Sequence, residues 1–228
     1  MSRRSTKIVA TLGPATNSRA GIASLIDAGM NVVRLNFSHG HRDDHRTTIR
    51  RIREVAEEKR RIIGILQDLG GPKIRLGELP EHGVRLEAGE TVGLGIEGRT
   101  AAGDLPVNYP HLLEDVQVGE SILLADGAAE LEVIEVQPDR LVCTVINEGL
   151  LTSRKGVNLP HASLRVPAVT DKDLADLEVG LEEGVDFVAL SFIRHERDLE
   201  QVRSRLDQLP LPPRLIAKIE KPQAVDRL

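Results

Sequence analysis

The apolar residues in the first third of the chain form short runs separated by segments of helical spacing. Three runs predict strands, namely Lys7–Leu12, Asn31–Phe37 and Ile62–Leu66. Two helices are predicted between them, one capped by Asn17 or Ser18 and ended at Gly29, and a charged one from about Arg42 to Arg60. Alternating strands and helices are typical of a parallel sheet.

Beyond residue 75 the pattern changes to period-two apolar pairs broken by glycines, such as Val84 with Leu86. This spacing predicts an all-β module over residues 76–165. Helical spacing then returns with Thr170 as the predicted N-cap, and a later strand is predicted at Leu215–Ile219. We therefore interpret residues 1–75 and 166–228 as two parts of one α/β domain that the β module interrupts.

An internal repeat relates the two parts of this α/β domain. Gly29–Phe37 aligns without gaps to Gly184–Phe192, and each copy follows an acidic, leucine-containing helix end. The sixth position is Arg34 in the first copy and Ala189 in the second. An arginine that faces inward from a strand is costly unless an anion or an acid meets it. Arg34 is therefore a candidate site residue.

Polar residues recur at the carboxyl ends of the predicted parallel strands. They are Arg34, Asn36 and Ser38 on the second strand, Asp68 on the third, and Lys218 and Glu220 on the fifth. Strand parity predicts that Lys218 and Glu220 point inward together, while Ala217 and Ile219 face covering helices. Parallel α/β sheets and barrels bind their ligands at this end of the strands.

Several of these residues also have a purely structural interpretation. Lys218 with Glu220 is compatible with an ordinary ion pair, and Arg34 with Asp68 is compatible with an interior salt bridge. Lys155 is compatible with a solvated loop charge.

Taken together, the charged residues point to a narrower chemistry. The candidate cations are Arg34, Arg75, Lys155 and Lys218, and the candidate hard oxygen ligands are Asp68 and Glu220. This mixture predicts phosphoryl transfer in which Mg²⁺ bridges anionic substrates.

Composition narrows the possible partners. A net charge of −5, with three Phe and one Tyr, argues against a broad phosphate-binding face or a stacking platform for nucleic acid. The single cysteine, Cys143, forms no internal disulfide and is expected to be a small buried residue. No apolar run approaches the roughly 18 residues of a membrane span, so we expect no membrane partner and a cytoplasmic location.

Five segments, in matching order and spacing, resemble those of the pyruvate kinase family. They are Thr6–Pro14, Gly29–Gly40, Asp68–Arg75, Lys155–Pro160 and Ala217–Glu220. The resemblance extends from about Arg4 to the last residue. It implies a partial (β/α)₈ TIM barrel into which an all-β, β-barrel-like lid domain is inserted.

The resemblance also implies the reaction and the roles of individual residues. Pyruvate kinases transfer the phosphoryl group of phosphoenolpyruvate to ADP, giving ATP and pyruvate, with Mg²⁺ or Mn²⁺. By resemblance, Arg34 holds the phosphoryl group, Lys218 stabilises the transition state, and Glu220 binds the divalent metal. The remaining implied roles are a monovalent-cation site at Asn36, Ser38 and Asp68, and nucleotide contacts from His39, Arg75 and Lys155, the last from a closing lid.

One departure from the family concerns potassium. Where potassium-dependent members carry Thr and Glu, this chain has Leu69 and Lys73, as in the potassium-independent branch. We hypothesise that the Lys73 ammonium takes the place of K⁺, because a fixed positive charge can serve the same phosphates.

The chain ends at Leu228, before the Gly-Asp segment from which the family takes its second metal carboxylate. We expect a fragment, a truncated product or a partial chain of a family that is usually homotetrameric. An unclosed sheet exposes unpaired edges, so we expect the isolated chain to be unstable, associated or inactive. The alternatives are a non-catalytic remnant that binds phosphorylated ligands or a partner, and another phosphoenolpyruvate or pyruvate enzyme, against which the β insert counts.

Overall fold

The computed structural model describes residues 5–228. Its strands are β1 (Val9–Thr11), β2 (Val32–Asn36), β3 (Gly64–Leu69), β4 (Val84–Leu86), β5 (Thr91–Ile96), β6 (Leu105–Val107), β7 (Ser121–Leu124), β8 (Ala129–Val136), β9 (Arg140–Asn147), β10 (Gly149–Leu151), β11 (Val157–Asn158), β12 (Phe187–Leu190) and β13 (Arg214–Ala217). Its α-helices are α1 (Arg19–Asp27), α2 (Arg42–Glu58), α3 (Leu112–Asp115), α4 (Asp171–Glu182), α5 (Glu200–Leu206) and α6 (Pro222–Val225).

The chain divides into two compact units. The first contains the residues up to Pro72 together with Ala168–Glu220 and Ala224–Leu228, and the second contains Lys73–Pro167 and Lys221–Gln223. Within the described residues, no helix is both long and apolar enough to cross a membrane.

Five strands of the first unit form one sheet in the order β1-β2-β3-β12-β13, and every neighbouring pair is parallel. The mixed α/β class predicted from the sequence is therefore confirmed. The register aligns Asn36 with Asp68, and Asp68 with Ala189. Residues aligned across neighbouring strands point to the same face of a sheet. That this sheet belongs to a (β/α)₈ barrel with an inserted lid remains a prediction.

Local sequence signals set the ends of the helices in the first unit. The Ser18 hydroxyl caps α1 by accepting a hydrogen bond from Gly21 N at 3.1 Å. Thr170 and Asp173 form a reciprocal capping box at the start of α4. Gly29 follows α1 with φ of 98°, a left-handed conformation that glycine adopts without a Cβ clash. The predicted caps at Ser18 and Thr170 and the helix end at Gly29 are confirmed.

Two strands differ from the sequence prediction. β3 covers Gly64–Leu69, and Ile62, at the start of the predicted run, is 98% exposed. Pairing with β12 extends the strand to Leu69, one residue beyond Asp68, where the sequence placed its end. The prediction that Ala217 and Ile219 are covered by helices was wrong, since both are exposed. β13 is an outer strand of the sheet, and only the four-residue helix α6 follows it.

The second unit is rich in antiparallel strands. A six-stranded sheet has the order β11-β7-β8-β9-β5-β6, and β10 pairs with β4 in a separate two-stranded sheet. Alternate residues of β8 and β9, such as Leu131, Val133 and Val145, point into a common core. Cys143 lies in this core at 0% exposure, and burial raises the pKa of its thiol to about 12. The prediction of a small buried cysteine is confirmed.

A close packing contact lies between α4 and β3 in the first unit. Gln67 is fully buried, and its Nε2 donates to the carbonyl of Asp176 at 2.6 Å. A Cβ added to the neighbouring Gly180 would overlap the Gln67 side-chain amide. Because that amide is enclosed and hydrogen-bonded, it has little room to move aside.

We predict that Gly180→Ala lowers the free energy of unfolding by about 1–3 kcal/mol, the usual cost of overpacking a core. This loss would exceed the helix-propensity gain of up to about 1 kcal/mol that alanine brings. Urea denaturation followed by circular dichroism measures the change. Gly13→Ala is the control, since a Cβ at Gly13 meets nothing within 4 Å. Equal stability of the two variants would contradict the prediction.

Candidate functional site

Two cationic side chains share one buried carboxylate at the carboxyl end of the parallel sheet. Arg34 on β2 donates from Nε to Asp68 Oδ2 at 2.7 Å, and its Nη2 lies 2.6 Å from the same oxygen. Lys218, directly after β13, donates from Nζ to Asp68 Oδ1 at 3.2 Å. The Asp68 side chain is 4% exposed, whereas those of Arg34 and Lys218 are 33% and 28% exposed. The structure therefore brings these three predicted site residues together.

Strand order explains why residues so distant in sequence meet. β3 lies between β2 and β12, and β13 lies beyond β12. Asp68 is thus on a central strand, with Arg34 on one neighbour and Lys218 reaching across β12 from the other side. At the aligned position of β12 stands Ala189, whose small side chain faces the same side as Asp68. We infer that this alanine leaves room for the lysine to reach the carboxylate.

Two further residues complete what we call the Asp68 cluster, defined as Arg34, Asp68, Ser191, Lys218 and Glu220. Lys218 Nζ donates to Ser191 Oγ at 2.8 Å and lies 3.4 Å from Glu220 Oε1. The other Glu220 oxygen, Oε2, accepts from the backbone N–H of Phe192 at 3.0 Å. The predicted inward pairing of Lys218 and Glu220 is thus present, just beyond the end of β13.

Ser191 is the site residue that sequence reasoning missed. The signal was available in the internal repeat, because Ser191 aligns with Asn36 when Arg34 is aligned with Ala189. Both residues stand at the carboxyl end of their repeat unit, where a polar side chain can reach the sheet edge. The sixth position, Arg34 in one copy and Ala189 in the other, pointed to Arg34 alone, whereas the eighth position points to Ser191.

The loop after β2 is held by several hydrogen bonds. Asn36 Oδ1 accepts from the backbone N–H of Ser38 at 3.1 Å, so the two predicted cation ligands contact each other. Lys172 Nζ donates to the Phe37 carbonyl at 2.8 Å, and the Phe37 N–H donates to the Asp68 carbonyl at 3.0 Å. The loop is therefore fixed both to α4 and to β3.

His39 is held by a second histidine of the same region. His45 Nε2 lies 2.8 Å from the His39 carbonyl, and because a carbonyl only accepts, Nε2 must carry the hydrogen. The His45 ring also stacks on Phe37, with the ring centroids 3.9 Å apart. His45 thus positions the loop that carries His39.

A pocket of about 680 Å³ opens beside this loop. Its lining comes from the turn after β1, the end of β2 and the first turns of α2, and includes Gly13, Asn36, His39, Asp44 and Arg51. An amide, an imidazole and residues of both charges thus line this space together with apolar residues such as Leu12, Pro14 and Leu35. A pocket of this size can take a small molecule.

The other predicted basic residues belong to the second unit and are neighbours there. Arg75 forms an isolated antiparallel bridge with Gly156, and the N–H of Leu76 donates to the Lys155 carbonyl at 2.8 Å. Arg75 Nη1 also donates to the Arg154 carbonyl at 3.2 Å. Lys73 lies two residues before Arg75, and its carbonyl accepts from Asn108 Nδ2 at 3.5 Å. The backbones of Arg75 and Lys155, far apart in sequence, are thus neighbours, but their side chains point to opposite faces because Lys155 lies opposite Leu76.

The residues present offer a divalent metal only part of a ligand set. Among residues 5–228, no group of three or more His, Cys, Asp and Glu side chains could hold a metal ion. Glu220 is a single carboxylate, 36% exposed, at the edge of the Asp68 cluster. Mg²⁺ is commonly held by one or two protein carboxylates, with substrate phosphates and water completing the octahedron. Glu220 therefore fits Mg²⁺ in that mode.

The fold and the site together define an α/β protein with a cluster of charged side chains at the carboxyl edge of a parallel sheet. Comparison with known proteins gives the family. The family model described as "Pyruvate kinase, barrel domain" matches residues 3–228. The chain therefore belongs to the pyruvate kinase family.

Individual relatives agree with the family match. A pyruvate kinase of Agrobacterium vitis is 46% identical over 225 residues, covering 98% of this chain and 46% of the relative. A pyruvate kinase of Mycobacterium intracellulare is 43% identical over 229 residues, covering 100% of this chain and 48% of the relative. One from Corynebacterium glutamicum is 42% identical over 226 residues, covering 99% and 48% respectively. The chain thus spans about half the length of these curated relatives.

We predict that Asp68→Asn destabilises the first unit, because it leaves Arg34 and Lys218 without the carboxylate between them. Removing one partner of a fully buried pair costs about 3–5 kcal/mol, and the partial exposure of both cations should reduce this to about 2–3 kcal/mol. Urea denaturation measures the loss, and adding Lys218→Met to Asp68→Asn should recover part of it.

Asp27→Asn is the matched control for this experiment. Asp27 also pairs with a lysine, Lys59, at 2.5 Å, but its side chain is 62% exposed. Exposed pairs contribute at most about 1 kcal/mol. Equal small losses in the Asp68 and Asp27 variants would show that the shared carboxylate does not support the fold.

Proposed function

We propose that this protein acts in the pyruvate kinase reaction, in which the phosphoryl group of phosphoenolpyruvate passes to ADP. The products are ATP and, after the enolate takes up a proton, pyruvate. The observation that supports this proposal most directly is the convergence of Arg34 and Lys218 on Asp68. Because the chain spans about half of its curated relatives, the activity of a whole enzyme is part of the proposal.

Arg34 and Lys218 have complementary roles in this mechanism. The planar guanidinium of Arg34, held at Nε and Nη2 by Asp68, is suited to orient a phosphoryl group by its remaining donors. The Lys218 ammonium is a compact charge that can follow the transferring group. A cation placed where negative charge develops lowers the barrier without having to reorganise. Asp68 keeps the two cations close together by offsetting their repulsion.

Glu220 is the proposed protein ligand for Mg²⁺. When bound, the ion would supply positive charge that offsets the negative charge developing on the transferring phosphoryl group. Glu220 is prepared for this by the Phe192 N–H, which fixes one carboxylate oxygen at 3.0 Å. Asn36, Ser38 and Asp68 are the proposed oxygen donors for a monovalent cation.

The proposed nucleotide contacts come from each unit separately. In the first unit, His39 and the pocket beside it offer polar groups to ADP. In the second unit, Arg75 and Lys155 are the proposed cationic contacts to its phosphates.

We predict that any pyruvate formation by the purified chain falls at least about 100-fold in Lys218→Met, a loss typical of removing a transition-state contact. The measurement is a coupled assay with phosphoenolpyruvate, ADP and Mg²⁺, in which NADH oxidation follows pyruvate. Lys59→Met is the matched control, because Lys59 pairs with Asp27 on the surface and should be silent.

A measurement of phosphoenolpyruvate binding by the same purified chain distinguishes catalysis from a non-catalytic ligand-binding function. Phosphoenolpyruvate binding without turnover, weakened by Arg34→Met, would favour a non-catalytic ligand-binding function over catalysis. If the chain shows neither turnover nor phosphoenolpyruvate binding, both the catalytic and the ligand-binding functions are contradicted.

We predict that Lys73 makes the protein insensitive to potassium. Phosphoenolpyruvate affinity, measured by calorimetry with Mg²⁺ in KCl and in tetramethylammonium chloride, should differ less than about twofold, because a fixed ammonium serves the phosphates in both. Lys73→Met should introduce a potassium dependence. A strong potassium effect on the unmodified chain would refute the hypothesis.

A further inference from the structure

Ser191 occupies a buried position between two strands of the site. It directly follows β12, is 4% exposed, and makes two hydrogen bonds through its hydroxyl. Its Oγ donates to the Leu69 carbonyl at 2.6 Å and accepts from Lys218 Nζ at 2.8 Å. The hydroxyl thus links the end of β3 to the residue after β13.

The polarity of these two bonds is fixed by their partners. A carbonyl only accepts, so the one hydroxyl hydrogen of Ser191 points to Leu69. Towards Lys218 the hydroxyl therefore presents lone pairs, and an ammonium has only donors to offer them. The contact therefore sets the direction of the Lys218 ammonium. Leu69 is next to Asp68 in the chain, so both groups that hold the ammonium are anchored to the end of β3.

Phe192, the residue after Ser191, contacts Glu220, the charged side chain next to Lys218. Phe192 has φ of 56°, a left-handed conformation that is unfavourable for a residue with a bulky side chain. In this conformation its N–H donates to Glu220 Oε2 at 3.0 Å. One two-residue turn therefore contacts both Lys218 and Glu220, through a side chain and a backbone group respectively.

We propose that Ser191 is a positioning residue for Lys218, whose ammonium it orients within the Asp68 cluster. Its catalytic meaning rests on the proposed function, because orientation matters only if Lys218 acts on a transferring phosphoryl group. The positioning itself is a property of the folded chain and can be measured without turnover.

The test measures the reactivity of the Lys218 amine by acetylation with N-hydroxysulfosuccinimide acetate, quantified by peptide mass spectrometry. An amine that is held in one direction and partly enclosed is reached slowly by the reagent. Ser191→Ala should raise the rate at Lys218 relative to Lys59 at least about threefold, because the Lys218 amine loses a hydrogen bond that holds it inside the cluster and becomes more accessible. Ser191→Thr, which keeps the hydroxyl, should restore the slow rate.

Two controls keep the result interpretable. Ser204→Ala removes an exposed helix hydroxyl that bonds the Gln201 carbonyl, and should leave the ratio unchanged. If Ser191→Ala fails to fold by circular dichroism, Ser191→Cys keeps the packing volume while weakening both bonds, and should raise the ratio in the same way. An unchanged ratio in a folded Ala or Cys variant would overturn the proposal.

Repeating the acetylation with added phosphoenolpyruvate and Mg²⁺ tests the proposed function separately from the positioning role of Ser191. Protection of Lys218 from acetylation in the unmodified chain, reduced in Ser191→Ala and restored in Ser191→Thr, supports both. If the ligand protects in none of the variants while the acetylation ratios change as expected, the positioning role stands and the proposed function fails.

Discussion

The shared carboxylate of Asp68 is the contact on which the rest of the site depends. Two like charges about 5 Å apart repel by about 3 kcal/mol at an effective dielectric constant of about 20, which is large against the net stability of a domain. A single buried carboxylate that contacts both Arg34 and Lys218 offsets this repulsion. Without it, the two cations would separate, and a site for an anion between them would be lost.

The parallel sheet makes this contact possible, because its register determines which side chains share a face and an end. β12 offers the small Ala189 at the level of Asp68, and the turn after it offers Ser191 and Phe192 to the residues beyond β13. The unfavourable backbone of Phe192 is retained where it directs an N–H at Glu220. Strain of this kind tends to be found where a group must be aimed at a functional site.

Sequence reasoning predicted the features that depend on local pattern. Alternating strands and helices gave the parallel sheet, and the repeat singled out Arg34. It failed where the outcome depends on contacts between distant segments. The exposure of Ile219 reflects the position of β13 at the outside of the sheet, and the role of Ser191 reflects a hydrogen bond to a strand more than a hundred residues earlier. Neither is encoded in the spacing of nearby residues.

The charge balance of the Asp68 cluster bears on the phosphorylated ligand and the metal that we propose for it. Arg34 and Lys218 contribute two positive charges and Asp68 and Glu220 two negative ones, so the four side chains are formally neutral together. Asp68 is nearly buried while the cations are partly exposed, so a ligand arriving from solvent meets positive charge before this carboxylate. The exposed Glu220 opposes that attraction, and the divalent ion that we propose as its ligand would offset its charge. The ion and the carboxylate together would add net positive charge to the cluster, so the affinity for a phosphorylated substrate would depend on metal binding at this one residue.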